Sequence, residues 1–217
     1  RSAFMNKSSL LRTLAIVDVT ALPCATMWII WRDPPRLSHA WIFLPIWLIA
    51  SFAIHKDTTR TLGMRADNLW PAFRRASLIL GPMALGLILI GLARSVRIPT
   101  APGTFAPHHF WNYFAFCVLQ QVALNSMFSN RAFFLTNKIP ASALISGTIF
   151  AVLHWPNPVL MPATFIAGFA MSWLFLRERN ILPLAVWHMV LGILLGWSMP
   201  IAWHHGLRVG PGYYTFH

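Results

Sequence analysis

Ser77-Leu-Ile-Leu-Gly-Pro-Met-Ala-Leu-Gly-Leu-Ile-Leu-Ile-Gly-Leu-Ala93 is an uncharged, apolar run of 17 residues. A helix crossing a bilayer needs about 20 such residues. Six further apolar spans surround this one: Leu11–Trp31, Leu37–Ile54, His109–Phe128, Ile139–His154, Val159–Leu176 and Ile181–Met199. Backbone polar groups cannot stay open in lipid, and no alternating barrel pattern is seen, so the spans read as helices. The sequence predicts an all-α, polytopic transmembrane helical bundle of seven or eight spans.

Composition agrees. Of 217 residues, 57% are hydrophobic and 10% charged, against about 25% charged in soluble domains. Both a soluble fold and a disordered chain are excluded. The 11 Trp suit membrane interfaces. Residues 1–4 (RSAF) read as an appended tail ahead of a natural start at Met5, leaving 5–217 as a single membrane domain. Leu14–Trp31 is too long for a signal-peptide core and reads as a retained helix.

The connections carry turn signals. Arg32-Asp33-Pro34-Pro35-Arg36 reads as a stiff turn, Arg97–Pro107 as an extended loop, and the tail from His204 as irregular. Leu62, Leu69, Trp70 and Phe73 predict an amphipathic interfacial helix within His55–Ala76. Gly192 and Gly196 form a GxxxG on the last span. Cys24 and Cys117 fall in spans and read as buried small hydrophobes, without a disulfide framework.

The net charge of +12 is spread singly between apolar runs rather than gathered in a patch. It therefore implies anionic lipid headgroups as partners and no nucleic acid. With seven crossings, twelve Lys/Arg fall on the N-terminal side and five (Arg32, Arg36, Arg94, Arg97, Arg208) on the other. That bias predicts a cytoplasmic N-terminus and an integral protein of a cytoplasmic membrane, bacterial or archaeal. Of five acids, only Asp18 lies inside an apolar run, and the lone glutamate is Glu178.

Polar groups within spans are costly and are functional candidates. The fourth span carries Gln120, Gln121 and Asn125 on Cys117-Val-Leu-Gln-Gln-Val-Ala-Leu-Asn-Ser126; the fifth ends Phe150-Ala-Val-Leu-His154-Trp155-Pro156-Asn157-Pro158; the seventh holds Trp187-His188. Gln121 and Asn125 share a helix face. A convergent interior site explains all three helices; the plainer alternative is helix–helix hydrogen bonding. His154 and His188 could ligate a divalent metal such as zinc. They are two, a site takes three or four, and no cofactor is expected. His108 and His109 sit at the span's far end.

The order of a polar pair, then Phe-x-x-x-His, then a later His, resembles the CPBP family over roughly Ala76–Pro200. These are the CAAX-protease and bacteriocin-processing (Abi) intramembrane proteins, which include the type II CAAX prenyl endopeptidases. The resemblance implies a helical bundle whose motifs line a cavity. It places Phe150 and His154 on the second motif and His188 on the third. It sets Gln120 and Gln121 where the family has Glu-Glu, Asn125 at its arginine and Gly192 at its last Asn. By the same resemblance, Gln120, Gln121, Asn125, His154 and His188 are the expected catalytic positions, with Phe150, Trp155, Asn157 and Trp187 lining the substrate.

A carboxamide keeps the shape of a carboxylate but cannot act as a general base. Losing the arginine with the glutamates leaves neither charge unpaired. Three readings follow. One is a membrane enzyme acting on a lipid, isoprenoid or lipidated substrate by non-glutamate chemistry. Another is a non-catalytic relative binding a hydrophobic small molecule, a lipidated peptide or a membrane partner, with oligomers open to it. The third is an active CAAX-type intramembrane peptidase using histidine, with or without a metal.

Overall fold

Apolar segments of this length close their own backbone hydrogen bonds only as helices, and the computed structural model is helical throughout its regular elements. It describes residues 2–32, 39–94 and 107–216, and the side chains from Ser8 onward except those of 107–109. Among the described residues there is no strand. The expected Arg32–Arg36 turn and Arg97–Pro107 loop fall largely outside this description, as do the side chains of His108 and His109.

The elements are α1 (Ser2–Trp31), α2 (Phe43–His55, entered through a 3-10 turn Ala40–Ile42), α3 (Leu69–Ala93), α4 (Pro107–Gln121), a π-helical segment (Val122–Ser129) and α5 (Asn130–Thr136). Then come α6 (Ile139–Val152), α7 (Leu160–Glu178), α8 (Leu182–Ser198), α9 (Ile201–His204) and α10 (Pro211–Tyr214), with a 3-10 turn His205–Leu207 between the last two. Within α1, α3 and α7, Ser8–Trp31, Leu69–Ala93 and Leu160–Glu178 are long and apolar enough to cross a membrane; Ala40–His55, Ile139–Val152 and Leu182–Ser198 are shorter apolar helices. At 1.5 Å per residue α8 reaches about 25 Å. The outer face of α3 shows how the bundle meets lipid: Leu78, Leu85, Leu89 and Leu92 are each more than half exposed, while Ala72, Ala76, Leu80 and Ala84 are buried.

The core is built where α3, α7 and α8 meet, around Leu80, Met171, Leu174, Phe175, Leu184 and Leu191. α6 and α7 form the most extensive helix pair. Small residues make that possible: a Cβ on Gly147 would lie 2.9 Å from the Phe169 nitrogen and 3.0 Å from the Phe165 carbonyl. A second cluster joins Leu22 of α1 to Met127 and Phe128 of the π segment, with Trp47 and Phe52 of α2 against it.

Several expectations change. The fourth span does not stop near Phe128; helix continues through the π segment to Thr136. No separate interfacial helix forms in 56–68. Lys56 adopts φ 57° and closes α2. Thr58 and Thr61 then bond each other's backbone N–H groups at 2.8 and 3.2 Å, the local bonding that competes with helix. Leu69, Trp70 and Phe73 instead open α3.

This connection is a plug at one end of the bundle. Gly63 (φ 76°) accepts from Ile181 N–H at 3.1 Å. Ser126 and Asn130 donate to the carbonyls of Leu62 and Thr61. The tail from His204 is not irregular but a set of short helical turns, with His205 stacked on Tyr213 at 4.2 Å. Of the two cysteines, Cys117 is buried and Cys24 is exposed. The GxxxG glycines give room to side chains: Gly192 to the Tyr113 hydroxyl, Gly196 to Leu207.

Candidate functional site

The π segment decides where the polar side chains of the fourth span point. Its wider turns bring residues four apart into line on one face, and π-helical insertions often mark functional sites. Gln121, Asn125 and Ser129 form that line, and all three are fully buried. Asn125 Nδ2 donates to Gln121 Oε1 at 2.6 Å. Ser129 Oγ lies 3.2 Å from Asn125 Oδ1 and 3.2 Å from Ser146 Oγ on α6. Gln121 Nε2 then donates to Met171 Sδ at 3.2 Å and faces His188 Nδ1 at 3.1 Å.

The chain has a direction. Gln121 uses its oxygen to accept from Asn125, so its amide nitrogen donates to His188 Nδ1. That fixes the neutral His188 as the Nε2–H tautomer. His154 is set the other way: its Nδ1 lies 2.6 Å from the Phe150 carbonyl, which can only accept, so Nδ1 carries the proton. Its Nε2 then carries a lone pair that no described group bonds. The two rings flank one phenyl group, with Phe150 edge-on to His154 at 4.7 Å and to His188 at 5.6 Å. Both histidines are partly exposed.

Other expected residues sit elsewhere. Gln120 is only partly buried and, among the described hydrogen bonds, takes no part. Asn157 is fully buried, but its amide is consumed. Nδ2 donates to the carbonyls of His204 and Arg208 at 2.8 and 2.9 Å, and Oδ1 accepts from Val159 and Leu160 N–H at 3.1 and 3.0 Å. It caps α7 and ties down the tail, leaving nothing to bind a substrate. Trp155 is 51% exposed. Trp187 donates to Ser77 Oγ at 3.1 Å and stacks on Phe73, so it packs α8 on α3.

Sequence reasoning missed Ser129 and Ser146. Ser129 continues the four-residue spacing from Gln121 and Asn125, which was the available signal. It also missed that Asp57, though in a connection, is drawn inside to pair with Arg131. Among the described residues no group of three or more His, Cys, Asp or Glu could hold a metal. Among the described residues no third such ligand joins His154 and His188.

The fold and site together define an all-helical integral membrane protein with a neutral amide–imidazole cluster inside it. Residues 111–194 match the family described as Rce1-like, type II CAAX prenyl endopeptidase. That segment, under half of the chain, contains Gln121, Asn125, Phe150, His154 and His188, and it is similar to the CAAX-protease group of the CPBP family. No curated protein and no solved structure gives a significant match.

Proposed function

We propose that this protein is a membrane-embedded enzyme that cleaves a carbonyl-linked bond in a lipid, isoprenoid or lipidated peptide substrate without a carboxylate. The observation that carries the reading is the opposite polarity of the two imidazoles. His154 Nε2, a lone pair, takes a proton from water as it attacks the carbonyl. His188 Nε2–H donates to the oxyanion that develops. Collapse expels the leaving group, which takes the proton back from His154. Gln121 and Asn125 act one step removed, as positioning residues that hold the His188 tautomer.

Two measurements test this. Nitrogen-15 NMR of labelled protein in micelles is expected to show His154 protonated on Nδ1 and His188 on Nε2. Turnover of prenylated-peptide and lipid-ester substrates is expected to fall at least about 100-fold in His154→Ala and in His188→Ala, the scale of general acid–base contributions. Saturable retention of the same substrates with no turnover would replace the enzyme by a ligand-binding relative. Turnover abolished by chelation and restored by zinc would favour a metal peptidase.

A further inference from the structure

A second polar cluster lies between α1 and α2, apart from the Gln121–His188 chain. Asp18 accepts from Trp47 Nε1 at 2.8 Å, Ser51 Oγ at 2.5 Å and Arg131 Nε at 3.2 Å. Arg131 Nη2 also donates to Asp57 at 2.6 Å. The side chains of Asp18, Asp57 and Arg131 are 6%, 10% and 3% exposed. His55 joins them with a side chain 6% exposed, its Nε2 3.8 Å from Asp18 Oδ2. That atom is buried and has no hydrogen-bond partner. A cavity of about 310 Å³ opens beside the cluster, with Asp18, Ser51 and His55 among its lining residues and apolar side chains forming most of the rest.

Two features specify an occupant. The first is charge. Asp18 and Asp57 share the Arg131 guanidinium, and Arg179 acts on Asp57 from farther away, so the Asp18 carboxylate beside the groove has only a shared counter-ion, an arrangement that is costly to bury. Lys56, next in sequence, is exposed and not among the described ion pairs. The second is geometry. Asp18 Oδ2 accepts from Ser51 Oγ and Arg131 Nε, while His55 Nε2, 3.8 Å away and too far to bond it, has no described partner. One ammonium group could donate to both. The cavity volume is at the low end of ligand sites, about 300–1,000 Å³, and suits one hydrocarbon chain rather than two.

We propose that this groove binds a single-chain amphiphile with a protonated amine head. The ammonium sits between Asp18 and His55, and the chain lies along Leu14, Val17, Ile46 and Ala50. The site is independent of the proposed catalysis, since none of its residues belongs to the Gln121–His188 cluster.

The test uses the purified full chain in non-ionic micelles, with dodecylammonium, dodecanol and dodecanoate as probes. Thermal midpoints and native mass spectrometry are the readouts. Dodecylammonium is expected to bind one to one and raise the midpoint saturably, because a ligand of the folded state stabilises it. Dodecanol should bind at least about tenfold more weakly, equivalent to about 1.4 kcal/mol, and dodecanoate not at all. Asp18→Asn also unpairs Arg131, so two other variants carry the test. Ala50→Trp fills the groove from a position that makes none of the cluster's described bonds and should abolish the shift. His55→Leu should weaken it at least about tenfold. Equal binding of dodecanol would reduce the groove to a crevice for any chain. No saturable binding, or a shift retained in Ala50→Trp, would overturn the proposal outright.

Discussion

Asn125 holds a neighbour on each side, which makes it the most exposed point of the buried chain to mutation. Asn125→Leu leaves the Gln121 oxygen without its donor, at about 1–3 kcal/mol for a buried group, while Ser129 Oγ keeps the Leu124 carbonyl and Ser146 Oγ. It also frees Gln121 to rotate, so His188 loses its fixed tautomer. Chemical denaturation in micelles should show that loss, while Gln120→Ala stays within about 0.5 kcal/mol of wild type. Placing glutamate at both positions 120 and 121 is a sharper experiment. At position 121 a carboxylate would still accept from Asn125, but it can only accept, so His188 would have to carry its proton on Nδ1 and would lose the Nε2–H donor. Each carboxylate placed in a membrane interior costs a few kcal/mol. The expected outcome of Gln120→Glu with Gln121→Glu is a less stable protein without efficient peptidase turnover. Glu178→Gln, which loses its pairing with the exposed Arg75, should leave turnover nearly unchanged.

Helix pairs and end caps set how firmly those side chains are held. Gly147→Leu would push α6 off α7, because the missing Cβ space is bounded by backbone atoms that cannot yield. Phe150 and Ser146 ride on α6, so both thermal midpoint and turnover should fall, by about 1–3 kcal/mol in stability. The tail element reports on pH. His204 is buried and its Nδ1 accepts from Leu207 N–H at 3.1 Å. Burial holds its pKa below the usual histidine value. The unfolded tail therefore binds the proton more readily than the folded one, and stability falls as pH drops below about 6.5. Amide exchange of the tail should accelerate between about pH 7 and 5 in wild type, and His204→Asn should flatten that dependence. Much of this level was legible in the sequence: each expected apolar span forms helix over most of its described length, and Gln121 bonds both Asn125 and His188. What was not legible depended on non-local partners. Nothing in His55–Ala76 alone says that 56–68 will be pinned by Ser126, Asn130 and Ile181 instead of coiling on the interface. Nothing around Asn157 says that the tail will claim its amide. The π turn was hidden because hydrophobic spacing does not distinguish i→i+4 from i→i+5 bonding.

Across the whole molecule, charge separates two ends that the helices connect. The connection 56–68, the region near Arg131 and the turn after α7 gather at one end, tied by Asn68 to the Glu178 carbonyl, by Arg75 to Glu178 and by Arg179 to Asn130. At the opposite end Gly210 lies against Ile30, and Trp31 faces Tyr214 at 6.4 Å. The C-terminal end of α1 is thus beside the tail, which puts the start of α1 at the end holding Lys56, Arg60, Arg65, Arg74, Arg75, Arg131, Lys138, Arg177 and Arg179. Arg32, Arg94 and Arg208 lie at the other. Lys and Arg near span ends favour the cytoplasm, so the dense end and the N-terminus are expected inside and the tail outside. Labelling intact cells with a membrane-impermeant thiol reagent checks this once Cys24 and Cys117 are replaced by Ala. Thr59→Cys, on the exposed connection, should label only after lysis. Thr215→Cys, exposed in the tail, should label in intact cells. The reverse pattern would mean that the charge bias does not orient this chain, and both positions labelling alike would contradict the two-ended arrangement itself.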